Sequence, residues 1–112
     1  MKIAWIDHTI GSNRQLPRVM KESGLELFGA SNWQEFKHKY GDINDYDGLM
    51  WHAEIGEFGD FIEDVLRYKE NKPTILLSNY SEVMQDSQFS VFSYRNFSGI
   101  IEYFLQRQTP PV

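Results

Sequence analysis

The sequence predicts an α/β domain, a three-layer (βα)5 architecture in which helices cover both faces of a doubly wound, five-stranded parallel sheet. Three observations predict it. Runs of consecutive apolar residues, among them KIAWI, GLMW and TILL, read as strands buried on both faces. Amphipathic stretches fall between them, and glycine, proline or Asn/Asp-rich turns mark the junctions. Strand–helix alternation of this kind requires right-handed crossovers between parallel strands, which place helices on both sides of the sheet.

The first strand is expected at Lys2–Asp7. Proline inside a helix removes a hydrogen bond and clashes with the preceding turn, so the helix that follows should start at Leu16 or Pro17, leaving His8–Gln15 as a long loop. Gly24 ends that helix, and Leu25–Gly29 forms the second strand. Ser31 opens S-N-W-Q, a capping-box pattern, ahead of a helix with Trp33, Phe36 and Tyr40 on one side and Gly41 as its stop. After the acidic turn GDINDYD comes a third strand, Gly48–Ala53.

Asp60 is expected to cap a helix whose Phe61, Ile62, Val65 and Leu66 make a core-facing stripe, and Lys72–Pro73 turns the chain into a fourth strand, Thr74–Leu77. A weak helical stretch around Ser81–Asp86 leads to a fifth strand, Phe89–Arg95. Ser98 should cap the last helix, which carries Ile100, Ile101, Phe104 and Leu105. Residues 1–106 then form one domain and residues 107–112 a tail or linker, because Pro-rich polar ends such as QTPPV join domains.

Composition narrows the function. A chain of 112 residues has material for one core. A net charge of −5 without a basic face argues against nucleic-acid binding, which draws its affinity from neutralising phosphates. The absence of cysteine removes disulfides, thiolate nucleophiles and Cys-based metal sites. MKIAWIDH is too short and acidic for a signal peptide, and no apolar run approaches the ~20 residues that span a bilayer, so a cytoplasmic protein without membrane contact is expected.

In doubly wound sheets ligands sit at the carboxyl ends of the strands. The residues there are Asp7 and His8 after the first strand, His52 and Glu54 after the third, Ser78 after the fourth and Arg95 after the fifth. The strand order, spacing and length resemble the receiver domain of response regulators, a CheY-like, flavodoxin-like fold, over essentially the whole chain. The resemblance implies two metal-holding acids after the first strand, where this sequence has Asp7-His8. It implies a phosphate-accepting aspartate after the third strand, shortly past a Tyr-Asp pair; here Tyr46-Asp47 leads to His52. Ser78 matches the hydroxyl residue that senses the phosphoryl group, Arg95-Asn96 stands at the family's Lys-Pro, and Phe92 takes the place of its aromatic switch residue.

These departures define a degenerate pocket of Asp7, His8, His52, Ser78 and Arg95. One acid and the acceptor are gone, and with them most of the oxygen cage that Mg²⁺ demands and the carboxylate that phosphoryl transfer needs. The expectation is therefore a pseudo-receiver: a regulatory, phosphorylation-independent signalling module, not an enzyme, with no cofactor and no bound metal. Asp7 is expected either to accept hydrogen bonds from loop amides or to pair with Arg95 across the vacated space, not to act as a ligand. Glu54 could mimic a phosphoaspartate if the third strand ran longer, though a solvated loop acid is the simpler expectation.

Aromatic residues crowd the second half, and Phe92, Tyr94 and Phe97 on an edge strand and its following turn should form exposed aromatic surface of the kind that marks a partner face. The resemblance points the same way, since in receivers the fourth helix, fifth strand and fifth helix carry dimerisation and output contacts. The partner is then a protein or a linked output domain, or a second copy in a homodimer. Alternatives are weaker. HTIGSN after the first strand is a thin match to an FMN phosphate loop, and H-x-x-G covers only part of a corrin-binding motif. His8, His52 and Asp7 offer ligands for Zn²⁺ or groups for acid–base chemistry, but lack a third well-spaced ligand or a visible pocket. Ser78 has no nucleophile elbow around it.

Overall fold

A computed structural model of the chain describes residues 1–52, 62–78 and 90–107. Five strands, β1 (Lys2–Ile6), β2 (Glu26–Ala30), β3 (Gly48–Trp51), β4 (Thr74–Leu77) and β5 (Ser90–Phe92), form one parallel sheet in the order β2-β1-β3-β4-β5. Four described helices accompany them: α1 (Gln15–Glu22), α2 (Trp33–Tyr40), α3 (Ile62–Lys69) and α4 (Phe97–Gln106). The expected five-stranded parallel sheet with accompanying helices is the one observed. The expected cap Asp60 with Phe61, the helical stretch at Ser81–Asp86, Glu54 and residues 108–112 of the tail lie outside the described residues.

Side chains alternate across each strand, and the alternation divides the interior into two cores. Ile3 and Trp5 of β1, Met50 of β3, and Ile75 and Leu77 of β4 pack under α1 and α4 with Leu16, Met20, Ile100 and Phe104. Ala4, Ile6, Leu49, Trp51 and Leu76 pack on the opposite face with Trp33 and Phe36 of α2 and Val65 and Tyr68 of α3. Every residue of β3 and β4 is buried, which is why these strands read as unbroken apolar runs instead of alternating ones.

Local chemistry sets the helix ends. Pro17 is the third residue of α1, within the first turn, where the amides have no intrahelical acceptor; the helix therefore starts at Gln15, slightly before the expected point, and needs no kink. The preceding segment is a compact 3-10 turn at Ile10–Ser12 instead of an open loop. The cap of α2 is Asn32, one residue beyond the expected Ser31: its side chain accepts from the Glu35 amide at 2.8 Å, while the Glu35 carboxylate accepts from the Ser31 amide at 2.9 Å. Asn96, not Ser98, caps α4 by accepting from the Gly99 amide at 3.0 Å. Gly41 closes α2 at φ +84°, a conformation that a side chain disfavours.

Gly48 starts β3 for a packing reason. A Cβ there would stand 2.8 Å from the Phe104 ring of α4 and 3.3 Å from the Pro73 carbonyl oxygen. The missing side chain lets the last helix lie close on the sheet.

Candidate functional site

Parallel register brings three strand ends to one rim. Ile6 pairs with both Ala30 and Trp51, Trp51 pairs with Leu76, and Leu77 pairs with Phe92. One step further on, the amides of Asp7, His52 and Ser78 donate to the carbonyls of Ala30, Ile6 and Phe92, each at 3.0 Å. Asp7 and Ser78 are buried, His52 is half-buried and His8 is exposed. The structure thus assembles four of the five expected pocket residues on one edge.

Asp7 is the centre of that edge, with a side chain 0% exposed. A carboxylate in such a place costs several kcal/mol unless hydrogen bonds replace its water. Four do. The indole Nε1 of Trp5 donates at 3.2 Å and the Tyr94 hydroxyl at 2.5 Å to Oδ2; the Thr9 amide donates at 2.8 Å and the Thr9 hydroxyl at 2.7 Å to Oδ1. Asn13 steadies Thr9 by donating from Nδ2 to its carbonyl at 3.0 Å and to its Oγ1 at 3.1 Å. Burial, then the bond to Asp7, pushes the Tyr94 phenol far above its ordinary range, while the 3.3 Å contact with Thr9 Oγ1 pulls weakly the other way. Tyr94 therefore stays a donor.

This corrects the expected Asp7–Arg95 pair. Arg95 is exposed and makes no ion pair with Asp7; its backbone amide donates to Ser93 Oγ at 3.3 Å. The neighbouring Tyr94 turns inward and does the neutralising work without a charge. Tyr94 is also corrected as surface: it is 4% exposed, whereas Phe92 and Phe97 are half-buried against the α1/α4 core, Phe92 edge-on to Tyr103 with ring centres 5.6 Å apart. Leu105 of α4, 43% exposed, adds apolar surface.

The two histidines meet, with ring centres 5.1 Å apart and planes inclined at 36°, and His52 also lies 6.0 Å from the Tyr94 ring. Nδ1 of His52 is 2.7 Å from the Leu77 carbonyl oxygen. A carbonyl only accepts, so Nδ1 carries a proton and donates it. Among the described residues no three His, Asp or Glu side chains are grouped to hold a metal ion. A hard divalent cation does not fit the Asp7 end either, since its oxygens are occupied by four neutral donors and its chain neighbour is an imidazole.

Sequence reasoning missed Trp5, Thr9 and Asn13. The signals were there: W-x-D places both side chains on one face of a strand, and D-x-T is the spacing at which a carboxylate accepts from the backbone and hydroxyl two residues on.

No protein-family model matches the sequence, and no curated protein does. Solved structures do match. A response regulator from Thermotoga maritima superposes with a TM-score of 0.70 at 14% identity, covering 94% of each chain. A response regulator receiver protein from Pseudoalteromonas atlantica gives 0.67 at 14% identity over 95% of each chain, and one from Burkholderia phymatum 0.59 at 13% over 98%. The fold is the flavodoxin-like receiver fold. Within it, Asp7, His52 and Ser78 stand at the carboxyl ends of adjacent strands of the receiver sheet, where that topology gathers its ligands.

Proposed function

We propose that the chain is a regulatory module of signal transduction, a receiver-like domain that passes its signal through protein–protein contacts without phosphorylation at the usual site. The observation that carries the reading is the closure of the Asp7 carboxylate by Trp5, Thr9 and Tyr94. Phosphoryl transfer to an aspartate needs an acceptor carboxylate and a cation to stabilise the moving charge. Here the end of β3 carries His52, and Asp7, the one rim acid among the described residues, is spent on structural hydrogen bonds. The output surface of this reading is the β5–α4 edge, where Phe92, Phe97 and Leu105 keep apolar area partly exposed while Tyr94 is buried. Its partner is another protein, a linked output domain or a second copy of the chain, and nucleic acid has no part in it. The compartment proposed is the cytoplasm.

The test is an amide chemical-shift map recorded with beryllofluoride and Mg²⁺, and again with acetyl phosphate. The expected result is no Mg²⁺-dependent, site-specific shift at His52 and Ser78. A saturable response there, or a stable acyl phosphate on any carboxylate, overturns the reading.

A further inference from the structure

Beside the sealed carboxylate runs an open cleft of about 650 Å³, within the size range of small-ligand sites. The turn and helix start after β1 form one wall and the turn after β5 forms the other. Among the described lining residues the charged ones are Arg14 and Arg95, one from each wall, and none is an Asp or Glu; the Asp7 carboxylate lies behind Thr9 and Tyr94, with its oxygens turned into its own hydrogen bonds. In a chain of net charge −5 this is a local reversal of sign. Two arginines at a cleft without an acid create a positive potential that a bound anion would relieve.

The hydrogen-bonding inventory strengthens the point. The guanidinium groups of Arg14 and Arg95, the Ser12 hydroxyl and the Gln15 amide all line the cleft, and none makes a side-chain hydrogen bond or ion pair among the described residues. Their neighbours Thr9, Asn13 and Tyr94 are committed to the Asp7 network. The committed set lines the cleft while bonded within the Asp7 network, and the uncommitted set, Ser12, Arg14, Gln15 and Arg95, is exposed at its mouth with its donors open to a ligand. Leu16 and Phe97 supply apolar floor.

We propose that this cleft binds a small dianion, a phosphate monoester or a dicarboxylate, between Arg14 and Arg95. Guanidinium pairs each oxygen anion in a planar, bidentate fashion, and hydroxyl and amide donors complete the shell. The proposal does not rest on the proposed signalling function. It adds an input to it, because Thr9 and Tyr94 border the cleft and hold Asp7, so a bound anion touches the same residues that close the strand end.

The test is a two-dimensional amide NMR titration of the full chain with inorganic phosphate, and separately with succinate, at constant ionic strength set by NaCl. Saturable shifts at Ser12–Leu16 and at Tyr94–Phe97 are expected. Arg14→Gln and Arg95→Gln should each weaken the apparent affinity about tenfold, and the double variant should lose saturation while its other resonances stay in place, which separates lost binding from lost folding. Saturation by phosphate alone assigns a phosphate monoester, and saturation by both assigns dianions in general. Linear shifts equal to those caused by chloride mean ionic screening only and overturn the proposal. So does saturation that persists in the double variant, or saturation by an acidic peptide when neither small anion saturates.

Discussion

The Tyr94 hydroxyl donates to Oδ2 of Asp7 at 2.5 Å across 87 positions of sequence, tying the end of the first strand to the turn after the last. A neutral phenol here does what a cation does in many buried acid sites, and it does so without a second desolvated charge.

Removing that donor has a measurable cost. Tyr94→Phe keeps the ring and deletes one hydrogen bond to a buried carboxylate, which is worth about 1.5–3 kcal/mol. The urea midpoint should fall by the corresponding amount with an unchanged m-value. An unaltered midpoint would show that water replaces the phenol freely.

Alkaline pH should weaken the fold. Burial raises the phenols of Tyr94, Tyr68 and Tyr46 above the ordinary value of 10.0, with Asp7 assisting at Tyr94 and Asp47 at Tyr68. A raised folded-state value means the unfolded chain gives up these protons first. Their contribution is therefore fully present below about pH 10 and is lost as pH climbs through and above it. Each tyrosine ionised only when unfolded lowers stability by about 1.4 kcal/mol per pH unit. Urea melts between pH 9 and 11 should show a shallower decline in Tyr94→Phe than in the parent.

Gly48→Ala should destabilise by about 1–3 kcal/mol, since the new methyl meets the Phe104 ring at 2.8 Å and buried rings yield little. Phe104→Leu should lose stability alone yet recover part of the alanine penalty in the double variant. A double-mutant cycle with zero coupling would contradict the contact.

Helix caps can be told apart by alanine substitution. Asn32→Ala and Asn96→Ala should each cost about 1 kcal/mol, because each side chain accepts from an amide in the first turn of its helix. Ser31→Ala and Ser98→Ala should stay within about 0.5 kcal/mol of the parent. Denaturation midpoints of the four variants decide the assignment.

What the sequence revealed and what it hid have physical reasons. The strands were legible because double-sided burial leaves uninterrupted apolar runs, and Asp7, His52 and Ser78 followed from where those runs stop. A loop amide as donor to Asp7 was legible, and Thr9 supplies it; the side-chain partner past the last strand was not. Beyond the end of β5 the alternation of side chains ceases to apply, so whether Tyr94 or Arg95 turns inward depends on the backbone of one turn, and charge attraction suggested the wrong neighbour. The caps shifted for a related reason. Ser and Asn compete for the same role, and only the geometry of the entering chain chooses between them.

β5 is three residues long and, among the described residues, pairs on one side only, to β4. It is the outermost strand, yet the residue two places past its end stabilises the most enclosed anion described in the molecule. Peeling the border of the sheet therefore uncovers its centre: fraying at this margin and exposure of Asp7 are one event, and amide exchange at Ser90–Phe92 should report on both.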